Sequence, residues 1–149
     1  MKTLFATDDG WAGLILRLTL GIVMFPHGAQ KLLGWYGGFG FTGTLGFFTG
    51  TMHLPWLIAF LVIIGEFFGS LGLLVGFLTR FSAASMGVIM LGAISLVHWP
   101  HGFFMNWGGK QGGEGYEYHL LVLGISLALV MIGAGRWSAD GLIAKQLKN

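Results

Sequence analysis

Apolar residues in this chain gather into four long runs, at about 10–33, 55–78, 81–98 and 116–132. Runs of that length and continuity predict helices rather than strands. The second run has 24 residues and forms a helix of about 36 Å, enough to cross a bilayer with some tilt. Asp8 or Asp9 can cap the first helix, whose first turn favours negative charge. Pro26 frees the carbonyl of Ile22 and predicts a kink or hydration point. Pro55 stands at a first turn, where proline is tolerated, and Gly133-Ala134-Gly135 ends the fourth helix. Thr79-Arg80 leaves only a very short turn between the second and third helices. Short connections favour antiparallel neighbours, so the expected fold is an all-α, up-down four-helix bundle.

The stretch 35–54 breaks this pattern, with six glycines among its aromatic residues. It contains Gly38-Phe39-Gly40-Phe41-Thr42-Gly43, formally a dinucleotide-binding signature, but no strand precedes it and no βαβ unit surrounds it. The better reading is a short interfacial or re-entrant helix, at about 42–51, lying over one mouth of the bundle.

Composition turns the bundle into a membrane protein. Of 149 residues 54% are hydrophobic and only 9% charged, and the mean hydropathy is +0.75. Such a chain is too apolar for an ordinary soluble fold and is read as one integral membrane domain over 1–149. The 27 glycines suit close helix approach, and glycine faces left over after four-helix packing admit a homodimer. A net charge of +2 without a basic patch does not call for nucleic acid. Having no cysteine, the chain has no disulfide, thiolate metal site, iron–sulfur cluster or thiol nucleophile of its own. The first run carries Arg17 and leads to no small-residue cleavage site, so it is not read as a signal peptide. Lys2, Arg80, Arg136, Lys145 and Lys148 fall on one side, against Lys31 and Lys110 on the other. The positive-inside rule therefore predicts both termini in the cytoplasm and the loops 29–54 and 99–116 outside.

Polar residues inside the apolar runs are the candidates for chemistry. Glu66 lies at the centre of the second run, where a charged acid costs about 2.5–3.5 kcal/mol and normally turns toward a partner. On the first helix Arg17, Met24 and Lys31 fall within about 40° of one another, with Leu20, Gly21 and Gly28 beside them and His27 flanking. That stripe is expected to face the bundle, and Lys31 or His27 is the expected partner of Glu66. Antiparallel topology also brings Gln30, His98, Glu117 and His119 to the same outer half. A quinone headgroup fits such a set: its carbonyls accept hydrogen bonds from His, Lys or Gln, and a Glu/His pair can relay its protons. Haem on two facing histidines needs matched depths and an apolar slot, and the sequence has no haem-binding spacing. A zinc site from His98, His101, Glu117 and His119 has no recognised spacing either, and no metal is assigned. The bland alternative is an ion pair that only neutralises Glu66 and fixes helix register. His53 and His101 are read as exposed or interfacial loop residues.

Several segments together resemble the DoxX family of small four-helix bacterial membrane proteins, from Leu14 to Asp140. They are Arg17, then His27-Gly28-Ala29-Gln30-Lys31-Leu32, then Gly34-Trp35-Tyr36-Gly37-Gly38. Glu66 with Gly69 and Gly72, and Gly76-Phe77-Leu78-Thr79-Arg80, continue the match. The strongest stretch is Gly102-Phe103-Phe104-Met105-Asn106-Trp107 with Gly113-Glu114-Gly115-Tyr116-Glu117-Tyr118-His119-Leu120. Gly133-Ala134-Gly135 and Ser138-Ala139-Asp140 complete it, with Ala139 where the family more often has leucine.

The resemblance implies a multi-pass protein of the bacterial cytoplasmic membrane, linked to quinone-dependent oxidoreduction. It would act as an oxidoreductase or as the membrane subunit beside an oxidoreductase partner. Mapped onto this chain it suggests a polar pocket of Arg17, His27, Gln30, Lys31, Glu66, Glu117 and His119. In that reading His27 and Lys31 bind the quinone headgroup, Glu66 and His119 relay protons, and Arg17 completes the charge balance. A second expectation, from another class, is a non-enzymatic protein that binds or transports a small apolar molecule or lipid, or assists assembly of a respiratory partner.

Overall fold

The computed structural model describes residues 3–147, which leaves Lys2 and Lys148 of the predicted topology outside the described residues. Its helices are α1 (Trp11–Leu33), α2 (Gly40–Gly46), α3 (Trp56–Val75), α4 (Thr79–Ala93), α5 (Glu117–Ile132) and α6 (Ala139–Gln146). No β-strand occurs among the described residues. Among the described residues three helices are long and apolar enough to cross a membrane: α1, α3, and α4 with its continuation to His101. With 16 residues α5 is about 24 Å long, short of a hydrocarbon core of about 30 Å.

α1, α3, α4 and α5 pack in a closed cycle, each against the next, with α1 meeting α5. Neighbours run antiparallel: Gly28 of α1 lies against Phe67 of α3 and Gly21 against Leu74. The shared core is Leu20, Met24, Leu73, Ala83, Met86, Met90, Val122 and Leu129. Glycine decides how close the helices come. A Cβ on Gly28 would sit 2.6 Å from the Cα of Phe67, so the α1 backbone rests directly on α3 beside Glu66. The glycines of α3 near the acid serve its other neighbour. Of these, Gly65, Gly69 and Gly72 turn toward Ile89, Met86 and Ser82 of α4. The glycines at 28, 69 and 72 are thus taken up by packing within the chain, which weakens their use as a dimer face.

Helix ends differ from the expected ones for identifiable reasons. α3 stops at Val75 rather than Leu78 because Gly76 adopts a left-handed conformation (φ 68°). α4 starts at Thr79 rather than Phe81 because it is capped from far away: Asp140 accepts the backbone N–H groups of Leu78 at 2.8 Å and Thr79 at 2.9 Å. That carboxylate belongs to α6, a helix the hydrophobic pattern did not predict, which Ser138 caps by accepting the N–H of Gly141 at 3.1 Å. In the 35–54 stretch α2 runs into a π-helical turn, Phe47–Thr51, and α4 runs into a similar turn, Ile94–His98. Helical structure there accords with the expected short helix but begins two residues earlier. The two ends of the cycle are therefore unlike. One carries the loops 34–55 and 99–116, and the other carries α6, Arg80 and Arg136.

Candidate functional site

Glu66 and Lys31 meet in the middle of the helix cycle. Lys31 Nζ donates to Glu66 Oε1 at 2.7 Å, and the Glu66 side chain is 3% exposed against 26% for Lys31. The contact depends on Gly28, one helical turn before Lys31, because only a residue without a Cβ allows α1 so near the backbone of α3. Of the two expected partners of the buried acid, Lys31 and His27, the observed one is Lys31.

From this pair a cavity of about 510 Å³ extends toward the loop-bearing end. Its back wall is polar: Lys31, Glu66 and His27, then Tyr118, His119, His98 and Glu114. Apolar side chains of α3 and α4, with Phe48, Met52 and Leu54 before α3, line the rest. The His98 and His119 rings lie 4.0 Å apart at 44°, and His98 Nδ1 is 2.8 Å from the carbonyl oxygen of Glu114. Rings in such close contact leave no room for a porphyrin plane between them. His119 Nδ1 is enclosed and has no hydrogen-bond partner. Tyr118 lies 6.5 Å from the His27 ring, and its hydroxyl meets only the Sδ of Met24, at 3.5 Å, a weak acceptor.

Of the seven residues expected to form the pocket, Lys31, Glu66, His27 and His119 line it together. Arg17, Gln30 and Glu117 do not. Gln30 turns outward, where its amide donates to the carbonyl of Tyr36 at 3.3 Å, and Glu117 stands 3.5 Å from the indole nitrogen of Trp107.

Arg17 is the clearest correction, since it balances no charge in the cavity. Its guanidinium is buried at the α6 end and places all five N–H groups on backbone carbonyls. Nε donates to Ala134 at 3.0 Å, and Nη1 to Leu73 and Leu74 at 3.1 and 2.7 Å. Nη2 donates to Arg136 and Trp137 at 3.2 and 2.8 Å. Leu73 and Leu74 belong to the last turn of α3, where carbonyls lack the regular partner four residues on, and that of Leu73 also accepts the N–H of Gly76 at 3.2 Å. Arg17 therefore ties the end of α3 to the segment that leads into α6. Its place on one face with Lys31 was legible, and so were the 14 residues, about four helical turns, between their depths; the five carbonyls that hold it were not.

The sequence reading also left Tyr118, Glu114 and the methionines Met52, Met90 and Met105 out of the pocket. Tyr118 had a signal, being a polar group beside His119 at the start of an apolar run. Met90 had none, because at helical spacing it reads as ordinary core, and Met52 and Met105 lie in loop segments where no periodicity places them.

An all-helical chain with three membrane-length helices and a buried Lys–Glu pair flooring a lateral cavity is a small membrane protein built around an internal polar site. The chain belongs to the DoxX family, whose profile matches residues 12–99, that is from α1 to just past the π-helical turn that follows α4. It is also similar to a Bacillus subtilis (strain 168) protein named "Putative oxidoreductase CatD", with 30% identity over 136 residues, covering 91% of this chain and 90% of that one. No solved structure matches the chain. Family and relative together support a membrane protein with an oxidoreductase-related role.

Proposed function

We propose that the chain is an integral four-helix membrane bundle that binds a quinone or quinol headgroup in the Lys31–Glu66 cavity, as an oxidoreductase or the membrane subunit of one. In this reading α5 is the fourth span, despite its length, and α2 lies at the interface across the loop-bearing mouth. Arg80, Arg136 and Lys145 then put the α6 end in the cytoplasm of a bacterial cell, with the cavity in the outer half of the membrane.

One observation carries the proposal: an apolar cavity of about 510 Å³ holds an ion pair and three histidines on one wall. Ligand sites of a few hundred Å³ commonly combine an apolar lining with a few convergent polar groups. The donor set suits a ring with two carbonyls. Lys31 Nζ and His27 can donate to one oxygen, and the weakly engaged Tyr118 hydroxyl is free to turn toward the other. Glu66 and His119, near the two ends of the polar wall, can accept and return protons. A quinone supplies a two-electron, two-proton couple. The chain has no cysteine, so electrons pass to a partner subunit or a second redox molecule.

Quinone titration of the purified protein tests this, with wild type set against Glu66→Gln and His27→Ala. Saturable binding that both substitutions weaken is expected. Binding that is absent from all three, or the same in all three, refutes the proposal.

A further inference from the structure

α3 and α4 are joined by a three-residue turn at the α6 end and separate progressively away from it. The approach can be followed by asking what a Cβ on each glycine of the α3 face would meet. At Gly72 it meets Ser82 Oγ at 2.7 Å, at Gly69 Met86 Cε at 3.0 Å, and at Gly65 only Ile89 Cδ1 at 3.6 Å. Continued in the same antiparallel register, Val62 comes opposite Ala93, and Ile58 opposite Leu96 and Val97. All five line the cavity, and a Cβ on Gly92 meets nothing within 4 Å. The packing seam between the two helices thus ends where the cavity begins.

The cavity reaches the flank of the molecule there. Ile58 is 46% exposed, Val88 69%, Leu96 57% and Val97 40%, although each is also a cavity residue. Two π-helical turns lie beside the cavity, Phe47–Thr51 after α2 and Ile94–His98 after α4, a distortion frequent at functional sites. Ile58 and Val62 lie within the first two turns of α3, at the depth of lipid acyl chains if α3 spans the membrane. The cavity is therefore two-sided: Lys31 and His27 of α1, Glu66 where α3 meets α1, and His119 of α5 beside His98 form the polar side, and Ile58, Val62, Ala93, Leu96 and Val97 of α3 and the extended α4 form an apolar slot.

We infer that the gap between α3 and α4 is a lateral portal. Through it a quinone with a long isoprenoid tail enters from the bilayer, head toward Lys31–Glu66 and tail left in the slot among the lipid chains. This rests on the quinone reading above. The amphipathic division of the walls selects a tailed quinone over a water-soluble one: the head finds charged and hydrogen-bonding groups, and the tail finds only aliphatic surface. No aqueous route is needed for a molecule that partitions into the membrane.

Gly92→Phe is the informative variant, because the added side chain points into open space at the portal and replaces a helical glycine by a better helix former. Gly124→Phe on α5, where a Cβ also meets nothing within 4 Å, is the control away from the cavity. Binding of a tail-less dimethylnaphthoquinone and of its tetraprenyl counterpart is measured on protein in nanodiscs. Gly92→Phe is expected to bind the tail-less compound within about twofold of wild type and the tailed one about tenfold or more weakly. Gly124→Phe is expected to match wild type with both. Equal loss of both compounds at Gly92→Phe, or loss of neither, overturns the portal while leaving the headgroup site standing. Failure of wild type to bind either compound overturns the quinone reading itself. A phospholipid retained through purification that neither quinone displaces also overturns the portal, by showing another occupant in the slot.

Discussion

Replacing Lys31 by methionine removes the charge that Glu66 faces while keeping an unbranched side chain of similar length. Two unit charges 2.7 Å apart attract by about 6 kcal/mol at an effective dielectric near 20, before the cost of desolvating them. Breaking a buried pair from one side typically costs about 3–5 kcal/mol, because the partner stays buried and uncompensated. Here Glu66 is 3% exposed and keeps the full penalty, whereas Lys31 at 26% has part of its charge already solvated. Lys31→Met is therefore expected to destabilise by about 3 kcal/mol, and Glu66→Gln, which retains an acceptor for the more exposed lysine, by about 1–2 kcal/mol. Lys31→Met combined with Glu66→Leu removes both charges and should lie within about 1 kcal/mol of wild type. The assay is reversible unfolding in mixed micelles, followed by tryptophan fluorescence, with Glu66→Leu alone completing the double-mutant cycle. A cost below about 1 kcal/mol for Lys31→Met, or a double variant no more stable than that single one, refutes the premise that Glu66 is buried against Lys31.

Two further expectations concern the frame that holds the pair. Arg17→Lys offers three donors where five carbonyls are satisfied, and should cost at least about 3 kcal/mol in the same assay; a loss under about 1 kcal/mol contradicts the five-carbonyl tie. Gly28→Ala forces a Cβ against the Glu66–Phe67 backbone and should cost about 1–3 kcal/mol despite the better helix propensity of alanine. Gly124→Ala, with open space around it, should be neutral or stabilising by up to about 1 kcal/mol; equal effects of the two alanines refute the close approach of α1 to α3.

Much of the fold was legible because membrane-length helices write themselves as continuous apolar runs. The positions of α1, α3 and α5 follow to within three residues at each end, and so does that of α4 once its π-helical continuation to His98 is counted. Glu66 was legible for the converse reason, since an acid is costly enough in such a run to demand a partner, and Lys31 was one of two named. Two pieces were not. α6 is short and amphipathic, and its worth to the fold lies in Asp140, which caps a helix 61 residues away in sequence, a relation no local pattern carries. Arg17 shares a helical face with Lys31, and periodicity reports faces without reporting what stands at each level along them.

Composition and periodicity by themselves determined that the chain is helical, that it belongs in a membrane, and that a charge is buried at the centre of one helix. These follow from one-dimensional quantities, the length of an apolar run and the cost of an ion within it. Tertiary structure alone decided which polar residues meet. It set Lys31 on Glu66 through the bare backbone of Gly28, moved Arg17 to the opposite end to hold the carbonyls of α3, and ended the α3–α4 seam above Gly65. Those outcomes depend on helix separation and depth, which are set by contacts between residues far apart in the chain.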